Sequence, residues 1–357
     1  MINLPSLESA DVAGKKVFVR CDFDVPLSEQ STINNQQLTI ADDTRLVSSI
    51  STIEYLLEQG ATVIAAGHLG RPTGSEEKLS LLPVAKWFAE EFPGSSLESV
   101  KQGDFTGWKI KVNFYVLENL RFYKEEEGDS LEFAQKLASL ADVYVNEAFG
   151  SSHRAHASIV GVPKILPHFA GFHLSKEIKI LSLILENPKR PLTIIVGGAK
   201  IETKLPLVAK MHRFADYVLV GGEIAEQDKI LIKEQHEDII GQKAMLLVAD
   251  PNPGKTDITG MSLENFEQIV SRSACVVWNG PMGIIEIENS KDTSLSTKKL
   301  AEAIIASSAY KVVGGGDTIG FLNKKGLLNK FDFASTGGGA MLEFLSGESL
   351  PGLQALQ

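Results

Sequence analysis

Residues 192–222 read LTIIVGGAKIETKLPLVAKMHRFADYVLVGG: an apolar run, a glycine pair, an amphipathic segment, an apolar run and a second glycine pair. Thr193–Val196 and Tyr217–Val220 are short, rich in β-branched residues and free of polar alternation, which predicts strands covered on both faces. The segment between them carries helix formers, and two strands joined by a crossover helix run parallel. Gly197-Gly198 and Gly221-Gly222 stand where strand gives way to loop. The stretch is therefore a βαβ unit, and it decides the class of the fold.

The same rhythm extends in both directions. AMLLVAD, CVVWNG, KVVGGG and FDFAST are expected strands downstream, as are KKVFVRCDF, ATVIAAG, KIKVNFYVL and DVYVNEAFG upstream. Asp43–Gln59 reads as a helix with Leu46, Ile50, Ile53 and Leu57 on one face, and SLLPVAKWFAEEF and DSLEFAQKLASLA are further helices. Pro167–Asn187 reads as a long helix closed by the breaker NPKRP. A chain of 357 residues exceeds what one core supports. The expectation is α/β: two Rossmann-like domains with parallel sheets joined by a helical hinge. The boundaries are 1–166, a hinge helix at 167–189, a second domain at 190–340, and a C-terminal segment, 341–357, that returns to the first domain.

Composition narrows the function. Hydrophobic residues make up 43% and charged residues 22%, as in an ordinary globular protein, and the net charge is −10. An acidic chain argues against nucleic acid or an anionic membrane as partner. Cys21 and Cys275 fall in different proposed domains, so a disulfide is not expected and a reducing compartment is. The opening MINLPSLESADVAGKK has acids where a signal peptide needs an apolar stretch. No apolar run approaches the ~18 residues that span a bilayer, and a cytoplasmic protein is expected.

In open parallel sheets, ligands bind beyond the carboxyl ends of the strands. In the first half those ends carry Asp22-Phe23-Asp24, His68-Leu69-Gly70-Arg71, Glu118-Asn119-Leu120-Arg121 and, shortly after the last strand, His153-Arg154-Ala155-His156. Arg45 stands near the start of the helix after the first strand. Arg45, Arg71, Arg121 and Arg154 would bring four forked, permanently charged groups to one rim, which suits a substrate with a carboxylate and a phosphate. In the second half the ends carry Gly197-Gly198-Ala199-Lys200 with Lys204 beyond, Gly221-Gly222, Asn279-Gly280, Gly314-Gly315-Gly316-Asp317-Thr318, and Ser335-Thr336-Gly337-Gly338-Gly339. Glycine turns that open helices expose amides and a positive dipole end to phosphates, and Asp317 is placed for Mg²⁺. Gly254-Lys255-Thr256 is not a phosphate loop, because Ala249 stands where that motif needs glycine and Pro251 and Pro253 remove donors.

Taken together, RCDFDVPL, DDTR, GHLGRP, ENLRF, NEAFGSSHRAHAS, GGAKIETK, WNGPMG, GGGDT and STGGGAMLEFL resemble, in order, the motifs of the phosphoglycerate kinase family. The resemblance implies a glycolytic enzyme that closes about its hinge and acts as a monomer. It would move a phosphoryl group between ATP and 3-phosphoglycerate, giving ADP and 1,3-bisphosphoglycerate, with Mg²⁺ accompanying the nucleotide. It places phosphoglycerate at Asp22, Asp24, Arg45, His68, Arg71, Arg121 and Arg154. It places the nucleotide at Gly198, Lys200, Lys204, Gly222, Asn279, Glu286, Gly315, Gly316, Asp317 and Thr318, the metal at Asp317, and catalysis at Arg45, Lys200, Gly338 and Gly339. An inactive relative that senses the same ligands is the competing reading, and the presence of Arg45, Lys200, Lys204 and Asp317 argues for the enzyme. Two departures stand out: Asp24 replaces the family's usual asparagine, and Gly221–Thr259 is shortened, with Glu223 in place of glycine. A shorter wall buries less of the base, so relaxed discrimination between ATP and GTP is expected.

Overall fold

The computed structural model describes residues 2–32, 35–198, 201–223, 225, 244–285 and 293–357. The chain forms two compact units, Ile2–Lys179 with Ser349–Gln357, and Ile180–Glu348. The division falls inside the helix Phe172–Glu186.

The first unit contains β1 (Lys16–Arg20), β2 (Leu27–Thr32), β3 (Asn35–Ile40), β4 (Thr62–Ala66), β5 (Glu98–Gln102), β6 (Phe105–Lys111), β7 (Phe114–Leu117), β8 (Val143–Asn146) and β9 (His168–Ala170). Seven of these make one sheet in the order β5-β6-β7-β4-β1-β8-β9. β7, β4, β1, β8 and β9 run parallel. β1 lies inside this set, and its Val17, Phe18 and Val19 are fully buried, as covered parallel strands require.

Three expectations change here. KIKVNFYVL is not one strand: the chain reverses at Val112-Asn113, so β6 and β7 pair antiparallel and β5 continues that edge. The turn has no glycine or proline to announce it. Gly107 permits the pairing, since a Cβ there would lie 2.3 Å from the Val116 carbonyl oxygen. The sheet is thus mixed, not wholly parallel. The segment Pro167–Asn187 begins as the edge strand β9, and its helix starts only at Phe172. β2 and β3 form a separate antiparallel hairpin that leaves the sheet after Asp24 and returns before the helix Thr44–Glu58.

The second unit contains β10 (Leu192–Val196), β11 (Tyr217–Val220), β12 (Met245–Val248), β13 (Cys275–Asn279), β14 (Tyr310–Gly314) and β15 (Phe333–Ser335), ordered β12-β11-β10-β13-β14-β15. Every pairing is parallel. β10 and β13 are buried throughout and flank the point where strand order reverses, the place where such sheets open a crevice for ligands. Cys21 and Cys275 are free and buried, one in each unit.

Candidate active site

In the first unit the strand ends gather a cluster of cations in an otherwise acidic chain. Arg20, the last residue of β1, is fully buried. Its Nε donates to Ser158 Oγ at 2.7 Å, one terminal nitrogen donates to the Cys21 carbonyl, and the other lies 2.9 Å from His68 Nδ1. Arg45, in the first turn of the helix Thr44–Glu58, donates through one nitrogen to the Asp24 carbonyl at 2.6 Å and to Asp22 Oδ1 at 3.4 Å. Arg121 donates to the Gly70 carbonyl at 2.6 Å and lies 3.0 Å from Glu127, yet one of its terminal nitrogens is buried without a hydrogen bond.

The histidines are held neutral. Burial, then Arg20, Arg121, His156 and Arg154, push His68 well below the usual imidazole range. Burial and Arg154 push His153 down to about 4, and burial followed by Arg20, Arg121 and Arg154 pushes His156 down to about 3. The same charges act on one another: burial and then Arg154 push Arg121 down. This mutual coupling places Arg20, Arg121, Arg154 and the three imidazoles in one field, where an anion relieves the repulsion.

The two aspartates sit within that field. Asp22 is buried and its Oδ2 has no hydrogen-bond partner; burial pushes its carboxyl up while Arg45 pulls it down. Asp24 accepts the Gly70 N–H at 2.8 Å. Its other oxygen lies 3.8 Å from Arg45 and 4.0 Å from His68 Nε2. Arg71 is exposed, and among the described residues it makes no hydrogen bond or ion pair.

Arg20 and Ser158 carry no local signal as members of this cluster, whereas His156 stands in the run His153–His156 already read from the sequence. A strand-end arginine with 0% exposure needs partners. That requirement was the available signal, but the partners lie far off in sequence.

In the second unit the glycine turns pack against one another. Gly198, Gly222, Gly280 and Gly315 all have left-handed φ, from +68° to +97°. A Cβ on Gly280 would lie 2.0 Å from the Gly197 carbonyl oxygen and 2.7 Å from Lys204 Nζ, which itself donates to that carbonyl at 2.6 Å. The turns are cross-tied. Asn279 Nδ2 donates to the Gly338 carbonyl at 2.9 Å, and the Gly280 amide donates to Thr318 Oγ1 at 3.0 Å. Thr318 is fully buried and so braces the turn, whereas Gly316 and Asp317 are exposed in the first turn of the helix Gly316–Lys324. The helix Gly338–Leu345 starts beside it, with Gly339 exposed. First-turn amides have no partner within their helix, and two such turns beside Lys204 make a cradle for phosphate oxygens.

Lys200 and Glu286 lie outside the described residues. Glu223 is exposed, and most of the rest of the shortened stretch up to residue 243 also lies outside them. Lys255 occupies a tight turn closed by the Pro251–Ile258 bridge, with no helix at once behind it.

Known proteins resemble this chain over nearly its whole length. A family model described as phosphoglycerate kinase matches residues 7–245 and 228–348, its two segments meeting within Gly221–Thr259. Phosphoglycerate kinase of Dictyoglomus turgidum is 37% identical over 406 residues, covering 98% of each chain. Cytosolic phosphoglycerate kinase of Triticum aestivum is 38% identical, covering 98% of this chain and 97% of its own. The first alignment is longer than the 357 residues present here, so that relative carries residues with no counterpart in this chain. Among solved structures, phosphoglycerate kinase from Coxiella burnetii matches with a TM-score of 0.77 at 30% identity, covering 99% of both chains. The enzyme from Pyrococcus horikoshii matches at 0.80 and 29%, covering 99% and 98%. With a cationic rim on one sheet, a glycine cradle on the other, and these matches end to end, the chain belongs to the phosphoglycerate kinase family.

Proposed function

We propose that the chain transfers a phosphoryl group reversibly between ATP and 3-phosphoglycerate, giving ADP and 1,3-bisphosphoglycerate, as a glycolytic phosphotransferase. The observation that carries this reading is the coupled cluster of Arg20, Arg121, Arg154 and neutral histidines in a chain of net charge −10. Arg71, Arg121 and Arg154 take the substrate phosphate, and the unpaired Asp22 oxygen accepts the substrate hydroxyl. Gly198, Lys204, Gly222, Asn279, Gly315 and Gly316 receive the nucleotide phosphates. Lys200 steadies the group in flight and Glu286 the ribose, assignments that rest on the family resemblance. The attacking carboxylate is already ionised, so no general base is required. Catalysis is alignment together with neutralisation of the equatorial oxygens by Arg45 and the first-turn amides of Gly338 and Gly339.

The donor set fits Mg²⁺ on nucleotide phosphates. Among the described residues no three acidic, histidine or cysteine side chains converge as a metal cage. Asp317 is an exposed carboxylate with no hydrogen bond or ion pair among them. One carboxylate plus substrate phosphates is the usual holding of this ion. When bound, it would neutralise phosphate charge. Replacing Asp317 with alanine is expected to weaken Mg²⁺–nucleotide binding by about tenfold or more with the melting temperature unchanged. Calorimetric titration at varied Mg²⁺ measures this, and an unaltered Mg²⁺ dependence moves the metal elsewhere.

Asp24 places a negative charge against an anionic substrate. Asp24→Asn keeps an acceptor for the Gly70 amide and removes that charge, so 3-phosphoglycerate should bind about fivefold tighter. Weaker binding in a direct titration would instead make Asp24 a hydrogen-bond partner of the substrate.

We further place the protein in the cytoplasm as a monomer, where two buried free thiols stay reduced. No helix of the described residues is long and apolar enough to cross a membrane. A coupled assay with 3-phosphoglycerate, ATP and Mg²⁺ tests the activity. Turnover no greater than that of denatured protein would leave a ligand-sensing relative as the better account.

A further inference from the structure

Behind the cationic rim a line of buried polar groups leads from Glu126 to His68, and its far members, Glu126 and Ser158, have no part in the transfer reaction as proposed. Glu126, on the short helix Lys124–Glu127, has 0% exposure. Its carboxylate accepts the Ser158 hydroxyl at 2.5 Å and the Ser158 amide at 3.0 Å. The same hydroxyl oxygen lies 2.7 Å from Arg20 Nε, and Arg20 continues to His68 Nδ1 at 2.9 Å. Glu126, Ser158, Arg20 and His68 come from four separate segments, so only the fold brings them into line.

Burial pushes the Glu126 carboxyl up, while Arg20 and the two Ser158 hydrogen bonds pull it down; with Glu126 ionised, the direction of every hydrogen in this line is set. Guanidinium has donors and no acceptor. Ser158 Oγ therefore accepts from Arg20 and has its one proton to give to Glu126. Likewise His68 Nδ1 accepts, because a proton there would face the Arg20 N–H. A second proton on the ring is opposed by burial and by Arg20, Arg121, His156 and Arg154. The ring is left with its proton on Nε2, the nitrogen that lies 4.0 Å from Asp24 on the rim side. We infer that Glu126, Ser158 and Arg20 form a buried relay that holds His68 as the Nε2–H tautomer, so that it meets phosphoglycerate as a neutral hydrogen-bond donor.

This inference rests on the phosphoglycerate reading for its last clause only. Glu126 and Ser158 touch no substrate and are positioning residues. The surrounding charges keep the ring neutral, and the relay decides which nitrogen carries its proton. It also explains why a buried carboxylate is kept in the interior: it balances Arg20, whose charge would otherwise stand alone.

The test is ¹⁵N NMR of histidine-labelled full-length protein, with His68 assigned by loss of its signals in His68→Gln. Wild type is expected to show a bare Nδ1 and a protonated Nε2 that does not titrate across the range near the ordinary imidazole pKa of about 6.5. Ser158→Ala should mix the tautomers and weaken 3-phosphoglycerate about tenfold, with ATP affinity unchanged. Ser158→Thr, which keeps the hydroxyl, should restore both, and Glu126→Gln should mix the tautomers without deleting volume. A wild-type His68 protonated on Nδ1, or cationic at neutral pH, overturns the relay whether or not any variant folds. So does an unmixed tautomer in folded Ser158→Ala. Mixed tautomers with unchanged 3-phosphoglycerate affinity would uphold the relay and overturn only the assignment of His68 to the substrate.

Discussion

Replacing Arg45 with alanine is expected to lower kcat by about 10²–10³-fold while the KM for 3-phosphoglycerate moves by no more than about threefold. The geometry sets this split. Arg45 is tied through one nitrogen to the Asp24 carbonyl and to Asp22, which pre-orients its fork. A pre-oriented cation gains most where negative charge is greatest, on the group in flight, and little on the resting substrate. The cost to the fold should be small. Asp22, whose carboxyl burial already pushes up, can take a proton once its counter-ion is gone. Arg45→Lys keeps the charge but not the fork, and belongs between the two. Steady-state kinetics with a parallel melting curve make the measurement. A pure KM effect would reassign Arg45 to ground-state binding.

The adjacent glycines 338 and 339 should behave in opposite ways when each becomes alanine. A Cβ on Gly338 would lie 2.5 Å from the Gly315 Cα and 2.8 Å from its nitrogen. Backbone cannot swing aside as a side chain can, so the starts of two helices must separate. We expect a loss of about 1–3 kcal/mol in the stability of the second unit and ATP affinity reduced by at least about tenfold. A Cβ on Gly339 meets nothing within 4 Å. That variant should be as stable as wild type, or more so by up to about 1 kcal/mol, since alanine suits a helix better. If the phosphoryl group passes over this turn, the added methyl group occupies its path and kcat falls by about tenfold or more with the fold intact. Denaturant titration with ATP binding and turnover separates the two. Equal stability losses in both variants, or full turnover in Gly339→Ala, would contradict this placement.

The parts of the fold that were legible are those with a local cause. Leu192–Val196 and Cys275–Asn279 are apolar at every position because both faces are covered, and the structure buries every residue of both. The glycines after these two strands and after Tyr217–Val220 and Tyr310–Gly314 read as phosphate turns, and each of the four turns has a glycine with left-handed backbone. What failed had no local marker. Val112-Asn113 reverses the chain without glycine or proline, so two antiparallel strands looked like one. His168–Ala170 is a strand because it pairs with Tyr144–Asn146, not because of its own composition. In the proposed site, Arg121 and Arg154 are conspicuous in the sequence as arginines at or just past strand ends of an acidic chain, and the structure places both in the field of His68. Arg20 stood inside an apolar run, and its purpose depends on Ser158, Cys21 and His68. Contacts of that span leave no trace in spacing or periodicity.

Topologically, the second unit is an insertion: the first unit begins at Ile2 and regains the chain only at Ser349. Its last nine residues are no loose tail. The Gly352 amide donates to the Ser152 carbonyl at 2.8 Å, and any side chain at Gly352 would strike Ser152. Ser152 immediately precedes His153 and Arg154. On the ribosome, chains emerge N-terminus first at about 5–20 residues per second. The second unit is therefore complete in sequence before the unit that precedes it, and the loop that carries Arg154 receives this brace only once residues 349–357 have been made. A chain cut before Ser349 can hold a finished set of glycine turns while the loop of His153 and Arg154 still lacks this brace.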